Sequence, residues 1–326
     1  MNSEKNPANS KKDRGNSKTA EAVEEVTMAE TDVEAEEDTA EEKDEGEADT
    51  TDVTDAGEEA VEAEVTVGTE TALQVPDLVE NRGQEAATRE EVRTVVQIRV
   101  RPHPEFAKIF QVILEDGTKR LATKNLAPGR NVYGERLIRI EGVEYRVWDA
   151  FRSKLAGAIL KGLKTIPIGE GSKVLYLGAA SGTTPSHISD IVGGEGHVYC
   201  VEFAQRSLRE LVSNVVAYRS NMSPFLADAR MPQKYAMFIS ERVDVIYCDI
   251  ATLEQAKVLA DNADVFLKES GWIMLAVKSQ SIDVTLPPEQ VYQMQAQILR
   301  QRGFKVEQVV DLEPYDHAHA MIVAQR

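Results

Sequence analysis

The second half of the chain alternates short apolar runs with segments of helical spacing. Continuous apolar strands joined by helices are typical of a parallel sheet that is covered on both faces. Helices are expected from about Thr184, from about Ala204 to Ser220 and from about Leu253 to Phe266. The expected strands read KVLYL, HVYCVEF, SPFLAD, VDVIYCDI and GWIMLAVK. Two further runs, FKVEQVVDL and AMIVAQ, flank a short polar turn, so we expect an antiparallel terminal hairpin.

Residues 91–150 have a different pattern, in which short alternating runs are broken by turn residues. Asp116-Gly117 stands between two strand-like segments, and Glu141-Gly142 marks a second hairpin. The sequence therefore predicts a small β subdomain at 91–150, followed by an α/β domain at 151–326.

Residues 1–90 differ from the rest in charge. They hold 28 acidic and 8 basic residues, whereas the whole chain has a formal charge of −18. The remainder is therefore close to neutral. Because residues 20–72 have no aromatic side chains and few large aliphatic ones, they cannot bury enough apolar surface to fold, and we predict a disordered tail. Such a tail either keeps a protein in solution or binds basic partners.

The sequence shows neither a membrane segment nor a secretion signal. No run of eighteen apolar residues occurs, and the first thirty residues lack the apolar core of a signal peptide. We therefore expect a soluble cytoplasmic protein that makes no membrane contact. Cys200 and Cys248 fall in apolar runs, where a buried thiol is the usual explanation, so no disulfide or metal site is expected.

The stretch KVLYLGAASGTTPSHISDIV joins an expected strand to a helix through a loop of small residues. Gly178 and Gly182 allow the backbone to approach a ligand closely. Thr183 and Thr184 are expected to cap the helix. In open α/β sheets such a loop is the usual cradle for a ligand.

Acidic residues end the next three expected strands: Glu202, Asp228 and Asp249. A carboxylate about twenty residues after the glycine loop typically accepts hydrogen bonds from ribose hydroxyls. Two nucleoside ligands fit, a dinucleotide and S-adenosylmethionine. The loop lacks G-x-G-x-x-G, and the other two acids suit an adenine amino group and a methionine ammonium better than a pyrophosphate. The pattern therefore favours S-adenosylmethionine.

From about residue 92 to the end, the chain resembles archaeal fibrillarin, the RNA 2′-O-methyltransferase of C/D-box guide ribonucleoproteins. The matching stretches are TKNLAPGRNVYGE, YRVWDAFRSKLAGAI, VLYLGAASGTTPSHISDIVG, VYCVEF, DAR, VKSQSID and LEPYDHAHA. The resemblance implies a Rossmann-like methyltransferase fold, S-adenosyl-L-methionine as cofactor and 2′-O-methylation of ribose in rRNA and tRNA. It implies four partners: a C/D-box guide RNA, the target RNA, a coiled-coil scaffold protein and a kink-turn-binding ribosomal-type protein. It also implies an archaeal-type cytoplasmic location, or a nucleolar one if the source were eukaryotic.

The resemblance also implies site residues. The catalytic set of two lysines, an aspartate and a histidine corresponds to Lys154, Lys278, Asp249 and His319. The expected cofactor contacts lie in the glycine loop and after the next three strands: Gly178, Ala179, Ser181, Gly182, Thr183, Thr184, Glu202, Phe203, Asp228, Ala229, Asp249, Ile250, Ala251 and Thr252.

Two stretches depart from the family pattern. A Val-Ala-Gln-Pro-Asp-Gln run normally follows the aspartate, whereas this chain has IATLEQ, so Thr252 replaces a glutamine. The family also reads Pro-Tyr-Glu-Arg-Asp-His where this chain has His317 and Ala318 in place of the arginine and the second acid. Either histidine could face the site, and the spacing favours His319.

The chemistry explains why such residues are needed. A ribose hydroxyl is a weak nucleophile, and its proton must leave as the oxygen attacks. A lysine accepts that proton only when neutral, and burial or a second ammonium nearby lowers its pKa. We therefore expect Lys278 to be the base, Asp249 to orient it, Lys154 to place the ribose or phosphate, and His319 to help position the substrate.

Two other functions stay open on the sequence alone. The departures favour a catalytically weakened scaffold subunit of the same particle, and the family resemblance also allows a protein glutamine methyltransferase. An RNA enzyme needs basic surface, yet the part outside the tail is nearly neutral, so the charge must be clustered or partners must hold the RNA. Candidate cations in the β subdomain are Arg99, Arg101, Lys108, Lys119, Arg120, Lys124 and Arg130.

The tail generates the first prediction. Deleting residues 1–85 should leave the single-turnover rate of methyl transfer unchanged at moderate salt, because a polyanion repels RNA phosphates. Rapid-quench assays on the full and shortened chains measure this. A large rate loss that persists at saturating RNA would show that the tail takes part in catalysis or assembly.

Overall fold

The computed structural model describes residues 98–326, and the predicted tail lies outside the described residues. The first strands are β1 (Arg99–Pro102), β2 (Ile109–Ile113), β3 (Lys119–Lys124), β4 (Leu137–Ile140) and β5 (Val143–Trp148). They pair antiparallel in the order β1-β2-β3-β5-β4. Both predicted hairpins are present, and Gly117 and Gly142 have the positive φ that their tight turns require.

A seven-stranded sheet follows. Its strands are β6 (Lys173–Leu177), β7 (His197–Glu202), β8 (Met222–Leu226), β9 (Val243–Cys248), β10 (Leu267–Lys278), β11 (Lys305–Asp311) and β12 (His319–Gln325). The order is β11-β12-β10-β9-β6-β7-β8, with β6 to β10 parallel and β12 antiparallel to both its neighbours. The predicted α/β fold with a terminal hairpin is confirmed.

Five helices accompany this sheet: α1 (Lys154–Leu160), α2 (Thr183–Val192), α3 (Gln205–Asn214), α4 (Gln255–Phe266) and α5 (Pro288–Gln301). The sequence analysis predicted only α2, α3 and α4. It also extended α3 to Ser220, which is wrong: Val215 leaves helical geometry at φ −125° and buries its side chain, and a 3₁₀ turn follows. In α5, Val291, Gln295 and Leu299 are buried at a four-residue spacing, so a helical signal was present in the sequence.

Both faces of the seven-stranded sheet are buried, which explains its continuous apolar strands. Along β6, Tyr176 faces the core formed with α2, whereas Leu177 faces the core formed with α4 and α5. Cys200 and Cys248 lie one in each core and are fully buried thiols, as predicted. No helix among residues 98–326 is long and apolar enough to cross a membrane.

A buried carboxylate fastens the small sheet to the large one. Asp190 of α2 accepts hydrogen bonds from Arg146 of β5 at 2.9 Å, from Thr123 of β3 at 2.7 Å and from the Leu126 amide at 3.0 Å. The oxygen that accepts the Leu126 amide, Oδ1, also binds Arg219 at 2.5 Å, whereas Arg146 and Thr123 share Oδ2. All the side chains of the ion pairs are essentially inaccessible to water. The small sheet, α2 and the segment before β8 thus each supply part of one buried polar network, and the predicted boundary at residue 150 stays a prediction.

His187 of α2 completes the contact between the two sheets. Its Nδ1 lies 2.8 Å from the Thr123 hydroxyl and its Nε2 lies 2.8 Å from the Tyr133 hydroxyl. Burial, together with the charges of Arg146 and Arg219, holds the pKa of His187 well below its ordinary value. The imidazole is therefore neutral and serves as a structural bridge.

The buried network generates the second prediction. Asp190→Asn should lower the free energy of unfolding by about 3–5 kcal/mol, because it leaves the buried guanidinium of Arg219 without a carboxylate and leaves Arg146 with Glu135 alone. Glu210→Gln, which breaks the exposed pair of Glu210 with Arg206, should cost about 0.5 kcal/mol or less. Urea titration of both variants measures the difference. Equal midpoints would contradict the importance given to this network.

Candidate active site

A pocket of about 460 Å³ opens at the carboxyl ends of the parallel strands, where open α/β sheets bind ligands. Its volume lies in the range of small-molecule sites. The lining residues are Gly178, Ala180, Val201, Glu202, Phe203, Ala227, Asp228, Ala229, Arg230, Asp249, Ile250, Ala251 and Thr252. Glu202 ends β7, Asp228 follows β8 and Asp249 follows β9. All three acids thus line one cavity.

The glycine loop reaches this pocket because its backbone packs closely on its neighbours. Gly178 has φ +83°, and a Cβ there would lie 2.2 Å from the carbonyl oxygen of Asp249. Gly182 has φ +98°, and its Cβ would lie 2.6 Å from Leu211 of α3. Only glycine combines this backbone angle with so little space.

Five predicted contacts do not line the pocket and lie in the loop or at the start of α2: Ala179, Ser181, Gly182, Thr183 and Thr184. The predicted threonine cap is wrong, because Gly182 occupies the N-cap position and α2 has no side-chain cap. Thr184 instead places its hydroxyl 3.0 Å from that of Ser153, next to α1.

Glu202 is held by the backbone around it. One carboxylate oxygen accepts the Ala180 amide and the other accepts the Ala204 amide, both at 2.8 Å. A carboxylate has about four acceptor positions, so each oxygen keeps capacity for a ligand hydroxyl. Ala180, which sequence reasoning left out of the site, has φ +48° and contributes its backbone to the pocket wall.

Asp228 forms a forked ion pair with Arg230. The arginine Nε lies 3.0 Å from both carboxylate oxygens and its Nη2 lies 2.6 Å from one of them. Hydrogen bonding from Arg230 lowers the pKa of Asp228, so this carboxylate is ionised at neutral pH. Arg230 was missed as a site residue, although the Asp-Ala-Arg stretch was part of the resemblance.

Beside the pocket, Lys154 lies between two carboxylates. Its Nζ is 2.9 Å from Asp249 Oδ2 and 3.6 Å from Asp316 Oδ2. Burial alone would lower the pKa of Lys154, but the charges of Asp249 and Asp316 and their hydrogen bonds outweigh burial and raise it. Lys154 is thus an ammonium at neutral pH and loses its proton only above the ordinary range of lysine.

His319 belongs to the same cluster, and His317 does not. His319 Nδ1 lies 2.7 Å from the His317 carbonyl and 3.0 Å from Asp316. Because a carbonyl only accepts, Nδ1 carries a hydrogen. Burial alone would raise the pKa of Asp316, but His319 and Lys154 outweigh it and lower the pKa. The His317 side chain is 81% exposed and pairs with Glu313.

Lys278 ends β10 directly across from His319, the first residue of β12. Gln255 fixes its backbone by bonding both the Lys278 amide, at 2.9 Å, and the Lys278 carbonyl, at 3.1 Å. We expected Asp249 to orient Lys278, but the structure pairs Asp249 with Lys154. Among residues 98–326, the Lys278 side chain has no carboxylate partner. Asp316, which sequence reasoning missed, is the second acid of the cluster.

The fold and the acid-lined pocket define a Rossmann-like enzyme of the methyltransferase class. The fibrillarin family model matches residues 100–326. The chain therefore belongs to the fibrillarin family.

Individual relatives agree with this assignment. The chain is 56% identical to a fibrillarin-like rRNA/tRNA 2′-O-methyltransferase of Pyrobaculum calidifontis, over 70% of this chain and 98% of the relative. It is 57% identical to that of Sulfolobus acidocaldarius, over 68% of this chain and 95% of the relative. Aeropyrum pernix fibrillarin, solved with natively bound S-adenosyl-L-methionine, is 49% identical with a TM-score of 0.66 and covers 70% of this chain and 99% of its own. A fibrillarin solved in complex with Nop5p is 42% identical with a TM-score of 0.57, over 66% of this chain and 97% of its own.

The close packing at Gly178 generates the third prediction. Gly178→Ala should cost about 1–3 kcal/mol more in unfolding free energy than Gly117→Ala. Both glycines have similar positive φ, but only Gly178 has a neighbouring atom in the way of a Cβ. Thermal unfolding of the two variants isolates the steric part. Equal melting temperatures would contradict the close approach of the loop to Asp249.

Proposed function

We propose that this chain transfers a methyl group from S-adenosyl-L-methionine to the 2′-hydroxyl of ribose in rRNA and tRNA, guided by a C/D-box RNA. The observation that carries the proposal is the position of Asp249. Its carboxylate lines the acidic pocket and also binds Lys154 of the neighbouring cluster. The pocket and the cluster of Lys154, Asp316 and His319 therefore share one residue.

The pocket residues fit this cofactor. Glu202, whose oxygens are already oriented by two amides, would accept the ribose hydroxyls. Asp228 would accept the adenine amino group, and Asp249 has Oδ1 left for the methionine ammonium after Oδ2 binds Lys154. When bound, S-adenosyl-L-methionine supplies an electrophilic methyl group. Thr252 lines the same pocket, so the departure from the family pattern falls at its rim.

The two lysines have different tasks. Lys154 is held as a cation by two carboxylates and would bind the ribose or an adjacent phosphate. The Lys278 side chain pairs with no carboxylate of residues 98–326. We assign Lys278 the proton of the 2′-hydroxyl: it would move to Nζ as the oxygen bonds the methyl carbon, while the carbon–sulfur bond of the sulfonium would break and release a neutral thioether. His319, with Nδ1 held by a carbonyl, would present Nε2 to the substrate.

RNA recognition would depend on partners. The relative solved with Nop5p supports a scaffold protein that docks this chain, and we extend this to a coiled-coil scaffold and a kink-turn-binding protein. A guide RNA paired with its target presents 2′-hydroxyls in a regular shallow groove, where one ribose can be aimed at the site. The intact cluster of Lys154, Asp249 and His319 argues against a scaffold without activity. We place the particle in an archaeal-type cytoplasm.

Reconstitution with the guide, the target and both partner proteins tests this function, and it is the fourth prediction. Labelled methyl transfer should occur in the full mixture and fall to background without the guide. Glu202→Ala should weaken S-adenosylmethionine binding by about 1.5–3 kcal/mol, the range for hydrogen bonds to charged groups. Glu269→Ala is the matched control, since Glu269 is an exposed acid near the start of β10, at the end of the strands opposite the pocket. This variant should bind S-adenosylmethionine normally.

Two results would contradict the proposal. The first is unchanged cofactor affinity in Glu202→Ala by calorimetry. The second is equal methylation of target RNA with and without the guide.

A further inference from the structure

A second cavity, of about 370 Å³, lies between the small sheet and the segment that leads into α1. Its wall includes three arginines and two aromatic residues: Arg120, Arg136, Arg152, Tyr133 and Phe151. We call this cavity the arginine groove.

Among residues 98–326, Arg120, Arg152 and Asp149 have no ion-pair partner, so two cations stand against one carboxylate and the groove is net positive. Glu135 points inward and is neutralised by Arg146, with both side chains essentially buried. Asp149 uses one oxygen to accept the Phe151 amide at 2.9 Å. The second cavity therefore differs from the cofactor pocket, which is lined by acids.

Two of its three arginines are available to a ligand. Arg136 is held by Glu115 through two hydrogen bonds, at 2.9 and 2.5 Å. Arg120 and Arg152 are exposed and form no ion pair with any residue in 98–326. A planar guanidinium presents two parallel N–H groups, which match the oxygens of a phosphate.

The groove is rigid at its base. The Tyr133 hydroxyl bonds the buried His187 at 2.8 Å and the Val147 carbonyl at 3.2 Å. The Arg152 guanidinium lies over the Tyr133 ring, 5.4 Å from its centre. Since His187 belongs to α2, the position of Arg152 is tied to the helix that follows the glycine loop.

The groove also continues into the catalytic cluster. Phe151 is 61% exposed and packs edge-on against Tyr315, with ring centres 5.2 Å apart. Tyr315 precedes Asp316, and Arg152 stands two residues before Lys154. An exposed phenylalanine next to unpaired cations is an apolar surface on which a sugar or base can rest.

We propose that the arginine groove binds the backbone of the RNA strand that carries the target ribose. Arg120 and Arg152 contact phosphates beside that ribose, and Phe151 contacts a neighbouring sugar. This inference rests on the proposed function and adds a positioning surface to it. It supplies the clustered charge that a nearly neutral domain needs in order to hold RNA.

The test uses the full chain, a synthetic guide–target RNA duplex and a salt titration. Arg120→Gln and Arg152→Gln should each weaken duplex binding about tenfold and reduce the slope of log affinity against log salt by about 1, the loss of one phosphate contact. Arg300→Gln, in the last turn of α5, removes the same charge away from the groove and should change neither quantity.

Two further measurements separate positioning from folding. Arg152→Lys should restore most of the salt slope, whereas a purely structural role for Arg152 at Tyr133 would change the melting temperature and leave the salt slope at its wild-type value. Cofactor affinity should be normal in every variant. If Arg152→Gln lowers the melting temperature, its binding loss could come from misfolding. The salt titration of Arg120→Gln then tests the groove by itself.

The outcomes are distinguishable. If both glutamine variants keep the wild-type duplex affinity and salt slope, in a chain that methylates guided RNA, the groove proposal is wrong and the proposed function is unaffected. Absence of methyl transfer by the wild-type particle would overturn the function itself. Equal losses in Arg300→Gln would show a general charge effect and would also overturn the groove.

Discussion

The Asp190 carboxylate is the interaction on which the arrangement of the site depends. It binds one arginine from the small sheet and a second from the region before β8, while its own helix α2 begins at the glycine loop. An unpaired charge in such a place would cost several kcal/mol, so all partners must be present together. The small sheet, and with it the groove and Lys154, is thereby fixed relative to the cofactor pocket.

The distribution of carboxylates then decides what each lysine does. Asp249 and Asp316 both approach Lys154 and raise its pKa, which makes it a permanent cation at neutral pH. Lys278 is positioned through its backbone by Gln255, and no carboxylate within residues 98–326 pairs with its side chain. In our proposal, Lys154 therefore binds an anion and Lys278 accepts the proton.

The strands, their parallel order and the acids at their ends could be predicted from the sequence, because apolar periodicity and turn residues are local signals. The pairing of Asp249 with Lys154 could not, since 95 residues separate the two and no local pattern encodes their contact. Asp316 and Arg230 were missed for a related reason: a charged residue in a loop looks like a solvated one until its partners are known. The spacing in the sequence already favoured His319 over His317, and the structure places His319 beside Asp316.

The most direct test of this account is the pH dependence of single-turnover methyl transfer in the assembled particle. Wild type should become faster as pH rises, because the base of the proposed reaction accepts a proton only in its neutral form. Lys154→Arg, which preserves the cation, should keep that rise. Lys278→Arg, which cannot lose its proton, should be slow at every pH. Two results would contradict the roles assigned to the two lysines: a normal rise of the methyl-transfer rate with pH in Lys278→Arg, or the loss of that rise in Lys154→Arg.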